Sequence, residues 1–113
     1  MSASPSAPVR RYAEFWPHYL REHARAETRM LHYLGTTLTL VFVAVAVRWG
    51  GWWWALVPIA GYGFAWTAHF AVEKNRPATF THPLWSLVSD YRMFLLWISG
   101  RLGPHLDRAG VPR

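Results

Sequence analysis

The chain has 113 residues, a formal net charge of +6 and no cysteine, with 52% hydrophobic and 17% aromatic residues. That length suits one domain, the apolar and aromatic bulk excludes a disordered basic tail, and the missing thiols exclude disulfides, cysteine zinc sites and iron–sulfur clusters. Charged residues make up only 16%, well under the roughly 25% of soluble domains.

Residues 1–9 are rich in Ser, Ala and Pro and read as a disordered N-terminal tail. Tyr12 to about Arg25 mixes Tyr12, Phe15, Trp16, Tyr19 and Leu20 with charges, as expected of a helix lying in a membrane interface. From Met30 to Val72 the only formal charge is Arg48. This stretch divides at Arg48-Trp49-Gly50-Gly51 into apolar runs over about 31–47 and 52–72. Each is near the roughly 17–25 residues that cross a bilayer core, and the glycine pair supplies a turn. Leu84 to Ser99 follows His82-Pro83, with proline suited to a first helical turn, and stops at Gly100. It carries Asp90 and Arg92, so it reads as interfacial or partly inserted, and residues 101–113 read as a C-terminal tail. The expected fold class is therefore all-α: an integral membrane hairpin with two spans and flanking helices, one domain over residues 10–100.

Charge orients the hairpin. Five basic residues precede it, six follow it and one lies in the turn, which places both termini on the cytoplasmic side. The membrane would be the bacterial inner membrane, or the endoplasmic reticulum in a eukaryote. Trp49, Trp52, Trp53 and Trp54 form an interfacial belt at the far end. The first apolar run begins only after five arginines, unlike a signal peptide. Basic residues flanking membrane segments suit an anionic lipid surface rather than nucleic acid.

Ionisable residues within or beside membrane segments are costly and point to function. His32 lies 18 residues before Gly50 and His69 lies 19 after it, so both reach the same depth, roughly 27–29 Å from the turn. His69 and Glu73 are spaced i, i+4 and share a helix face. Gly61, Ala65 and Ala68 form a small-residue track along which the spans can approach closely. His23 and His82 lie near the same end, whereas His18 and His105 are peripheral. His23 and His32, nine residues apart, fall on opposite faces of a straight helix. They can serve one site only if the chain bends between them, near Ala26–Thr28.

Four histidines and a carboxylate with no cysteine suit a borderline divalent metal, and open positions on such a site favour non-haem iron(II) chemistry. A carboxylate near a ligating histidine can instead fix its tautomer. A hydrogen-bonded packing seam would use the same residues.

Leu31-His32-Tyr33-Leu34-Gly35 downstream of His23, then Ala68-His69-Phe70-Ala71-Val72-Glu73 and Pro77-Ala78, resembles the Mpo1-like membrane proteins. Glu73 to Phe80 and His82-Pro83-Leu84-Trp85-Ser86 look like a short bacterial branch of that family. The resemblance implies an iron(II)-dependent dioxygenase that shortens 2-hydroxy fatty acids by one carbon, as in fatty acid α-oxidation. It implies metal-site histidines His23, His32 and His69, with His82 from the short branch's pattern and Glu73 beside them in a catalytic role. Arg29, Lys74 or Arg76 would then attract the substrate carboxylate at the interface. The implied partners are the bilayer, a 2-hydroxy fatty acid and O₂. A thin two-span hairpin also leaves room for a homo-oligomer. The alternatives are a non-catalytic membrane protein whose cluster holds a structural metal or a hydrogen-bond network, and a different histidine-metal membrane hydroxylase or hydrolase.

Overall fold

The computed structural model describes residues 9–113; the expected tail, apart from Val9, lies outside the described residues. Five α-helices follow in order: α1 (Tyr12–Arg21), α2 (Ala26–Trp49), α3 (Trp53–Thr67), α4 (Pro83–Ile98) and α5 (Leu102–Ala109). No strand occurs among the described residues. α3 runs on into a π-helical turn, Ala68–Glu73, and a short 3₁₀ turn spans Ala78–Phe80.

Two helical stretches, Ala26–Trp49 of 24 residues and Trp53–Glu73 of 21, are long and apolar enough to cross a membrane. They form the hairpin. Gly50 and Gly51 turn the chain with φ of 67° and 65°, a left-handed region that only glycine enters at no steric cost. The spans meet along small residues: a Cβ at Gly35 would sit 2.9 Å from the Phe64 Cβ and 3.2 Å from the Ala60 carbonyl. Leu40, Val41, Val47 and Ile59 face outward, and Trp49, Trp52 and Trp54 are exposed at the turn end. Such a surface suits hydrocarbon along the shaft and an interface at the tip.

The opposite end of the hairpin is capped. Phe15, Trp16, Tyr19 and Leu20 on α1, Met93 and Phe94 on α4, and Leu102 and Leu106 on α5 form one dry cluster with Tyr33 of α2. The aromatic stripe of α1 thus packs against protein; Phe15, Tyr19 and Leu20 are fully buried. The Tyr12 hydroxyl pairs with Ser89 Oγ at 2.9 Å and Trp16 Nε1 donates to His105 Nδ1 at 3.1 Å, tying α1 to α4 and α5. The expected C-terminal tail is in fact helical over α5. Leu102, Leu106 and Ala109 line one face at i, i+4 and i+7 and are buried. Pro104 sits in the first turn, where its missing N–H costs nothing.

Two substitutions test this packing by thermal unfolding in detergent. Gly35→Leu should lower stability by about 1–3 kcal/mol through overpacking against Phe64. Leu106→Ala should cost about 2–5 kcal/mol by leaving a cavity under α5. A Tm unchanged in either variant would contradict the close contact claimed for it.

Candidate metal centre

α1 ends at Arg21 and α2 begins at Ala26, so residues 22–25 supply the bend the two histidines require, slightly ahead of the position expected from sequence. His23 sits in that bend, His32 two turns into α2, and His69 at the start of the π turn. All three are buried, at 0, 5 and 2% exposure. Their ring centroids lie 4.4 Å (His23–His32), 4.4 Å (His23–His69) and 5.3 Å (His32–His69) apart. One nitrogen from each ring falls within 4.8 Å of the others.

The other nitrogens point away, each toward an oxygen. His23 Nδ1 lies 2.7 Å from the Tyr19 carbonyl, which can only accept, so this nitrogen carries the proton. The His69 Nδ1 lies 2.8 Å from Asn75 Oδ1. Asn75 Nδ2 donates to the Glu22 carbonyl at 3.1 Å, which fixes the amide orientation and leaves Oδ1 as the acceptor. His32 Nδ1 faces Asp90 Oδ1 at 3.6 Å, an ion-pair rather than a hydrogen-bond distance. The same Asp90 oxygen accepts the Tyr19 hydroxyl. With the δ protons held outside, the Nε2 lone pairs of His23 and His69 are left for the interior. His23 Nε2 and His32 Nε2 stand 3.0 Å apart. At that distance His32 Nε2 can donate its proton to His23 Nε2, or, with the His32 proton on Nδ1, both nitrogens can turn their lone pairs to one cation.

Electrostatics keeps the rings neutral and able to ligate. Burial above all, then the neighbouring His32 and His69, holds the His23 pKa well below its ordinary value. Burial also pushes the Asp90 carboxyl up to about 7, against the pull of its hydrogen bond from Tyr19. Tyr19 remains a donor because burial, then Asp90, raises its pKa well above the ordinary phenol value. Three buried neutral imidazoles with outer partners on every ring are what a nitrogen-ligated metal needs. Three protein ligands leave further positions open, a trait of catalytic rather than structural sites. The residues fit a divalent transition metal.

The remaining candidates from the sequence are placed elsewhere. Glu73 is half-buried, and its Oε1 accepts the Arg25 backbone N–H at 2.5 Å. Arg25 is the N-cap of α2, so Glu73 does from the other span what a capping-box glutamate does within its own helix. The i, i+4 face expected for His69 and Glu73 is widened by the π turn, and His69 pairs with Asn75 instead. His82 lies outside the trio: its ring stacks on Trp85 at 5.4 Å and its Nδ1 meets Thr81 Oγ1 at 3.0 Å. Arg29 is buried, and its NH1 donates to the His23 and Ala24 carbonyls at 2.8 and 3.0 Å. It braces the bend through its backbone. Lys74 and Arg76 are exposed at the rim, with Arg76 over the Phe80 ring at 5.5 Å.

Three residues of the site escaped the sequence reading: Tyr19, Asn75 and Asp90. Asp90 carried a signal, being a lone carboxylate within an apolar helix. Nothing local marks Tyr19 or Asn75.

Fold and centre together define a helical protein with two candidate membrane spans and a buried three-histidine site able to hold a metal. The chain matches the family model described as 2-hydroxy-palmitic acid dioxygenase Mpo1-like over residues 9–102, and it belongs to that family. No curated protein and no solved structure matches it.

Metal titration of the purified protein, followed by Co(II) absorption, checks the centre. His69→Ala should abolish binding and His18→Ala, at a partly exposed site paired with Glu22, should leave it intact. Asn75→Leu should weaken binding by about 10–100-fold through loss of the outer partner. Equal binding in all three would remove the trio as the site.

Proposed function

We propose that the protein is an iron(II)-dependent dioxygenase that shortens 2-hydroxy fatty acids by one carbon at the membrane. The observation that carries this reading is the convergence of three buried imidazoles, two of them fixed from behind by hydrogen bonds, in a chain of a family described by that activity. His23, His32 and His69 would hold the iron through the nitrogens turned inward. Iron(II) with open positions supplies redox chemistry toward O₂ and Lewis acidity toward the hydroxyl and carboxylate oxygens of such an acid.

The chain's own residues set the conditions for that chemistry. Tyr19, through its carbonyl, and Asn75 hold two of the ring protons, and the Asp90 carboxylate faces the third ring. The Tyr19 hydroxyl, donated to Asp90, places a proton next to the carboxylate that faces His32. The dry cluster of α1, α4 and α5 excludes water from one side. Lys74 and Arg76 at the rim attract an anionic head, while Arg29 and Glu73 act by holding the bend and the start of α2. Glu73 and His82 act from outside the trio. Both chain ends face the cytoplasm, following the basic flanks.

A second reading has its own observation: 3.0 Å between His23 Nε2 and His32 Nε2 is also a hydrogen-bond distance. On that reading the trio is a proton-sharing structural cluster with no metal. Metal analysis separates the two. The dioxygenase reading expects retained iron after anaerobic Fe(II) loading, and release of the acid one carbon shorter from 2-hydroxypalmitate under O₂, lost in His69→Ala. Metal-free protein after loading, or iron-loaded protein without turnover, would overturn it. Orientation is tested by impermeant maleimide on intact cells or right-side-out vesicles: Trp52→Cys, exposed at the turn, should label and Arg10→Cys should not.

A further inference from the structure

Beside His32, the two spans and α4 enclose a cavity of about 230 Å³ that none of the assignments above uses. Its polarity runs in one direction. His32 and Asp90 stand at one end, and Thr39, Val57 and Pro58 line the other. His32 and Thr39 are seven residues apart on one helix, so the cavity extends about 10 Å along the span, from the level of the histidines toward the middle of the hairpin. Thr39 donates its hydroxyl to the Gly35 carbonyl at 2.7 Å, so this hydroxyl is already paired. The mouth lies between α3 and α4, where Tyr62 and Leu87 are exposed. Val88, next to Leu87 on α4, is exposed as well. This outer surface is apolar, as a surface facing lipid would be.

An amphiphile resting in the leaflet at this end has the same order, with its polar head at the interface and its chain running inward. It can slide sideways through the mouth without turning over and without drawing a charged head through hydrocarbon, which is costly. The cavity is smaller than the roughly 300–1,000 Å³ of pockets that enclose a drug-sized ligand. It therefore admits the head and the first methylenes while the rest of the chain stays among the lipids. Its depth depends on Gly61: a Cβ there would lie 3.2 Å from Thr39 Oγ1, so any side chain at this position fills the floor.

We propose that this cavity is a lateral entry site for a single-chain lipid from the surrounding leaflet, its acidic head assigned by the dioxygenase reading alone, with Gly61 and Thr39 setting how far the first methylenes follow the head. The route rests on the cavity and the spans; only the identity of the head as a 2-hydroxy acid rests on the dioxygenase reading.

The test is photolabelling of the full chain in phosphatidylcholine vesicles with 2-hydroxypalmitate carrying a diazirine, either near the carboxyl or at the methyl end. The near-carboxyl probe should label peptides holding Thr36, Thr39 and Gly61 and be displaced by unlabelled 2-hydroxypalmitate. The methyl-end probe should label only the outer surface and lipid. Gly61→Leu should cut the inner labelling by about tenfold or more. Leu87→Trp should do the same from the mouth, at an exposed position where folding is spared. Inner labelling without turnover in the iron-loaded protein keeps the entry site and removes the oxidation reading. Near-carboxyl labelling scattered over the outer surface, unchanged by competitor and by both variants, overturns the entry site whatever the turnover.

Discussion

The site depends on one bend. His23 and His32 are nine residues apart and would point in opposite directions on a straight helix. Breaking the helix over residues 22–25 brings their rings to 4.4 Å. The break is held from several sides: Asn75 donates to the Glu22 carbonyl, Arg29 to the His23 and Ala24 carbonyls, and the Arg25 N–H donates to Glu73. Each of these groups satisfies a backbone atom of the link or of the helix ends beside it, which no helix pairs internally. Their combined effect is to fix where His23 points.

The second span contributes through an irregularity. The π turn at Ala68–Glu73 widens the helix where His69 sits, and Lys74 enters the left-handed region with φ of 60° to end it. The chain then turns back so that Asn75 meets His69 Nδ1. One amide thereby orients a ring in one span and pins the bend before the other. Such π turns are short and often occur at functional sites.

The protein combines two kinds of packing. Along the shaft the spans touch through small residues and expose apolar side chains outward. At the capped end, α1, α4 and α5 build a dry aromatic cluster of the kind found inside soluble domains. The imidazole trio lies where these regimes meet. The polar seam of the hairpin, His32 to Thr39, is covered by α4 at the level of Asp90, so the single chain supplies the cover that a bare hairpin would lack. That placement gives the histidines burial on one side and a cavity between the spans and α4 on the other.

The hairpin was legible because its determinants are local. A long uncharged stretch, a glycine pair and the count from the turn are enough to make two spans and to put His32 and His69 at one depth. The need for a bend before His32 was legible too, since helical geometry allows no other way for His23 to join them. The sequence by itself also limited any metal to imidazole and carboxylate, there being no thiol. What it left open was which polar groups meet. Glu73, four residues from His69, seemed its natural partner, yet the π turn altered that spacing and Asn75 took the place. Asp90 faces His32 and accepts the Tyr19 hydroxyl only because α1 and α4 pack together, across 71 residues of sequence between Tyr19 and Asp90. Helix propensity and hydrophobic runs act over a few turns of chain. Two of the partners behind the imidazoles are near in the chain, the Tyr19 carbonyl behind His23 and Asn75 behind His69. Whether they meet the rings is set by the bend and the π turn; Asp90 behind His32 is supplied only by the packing of α4.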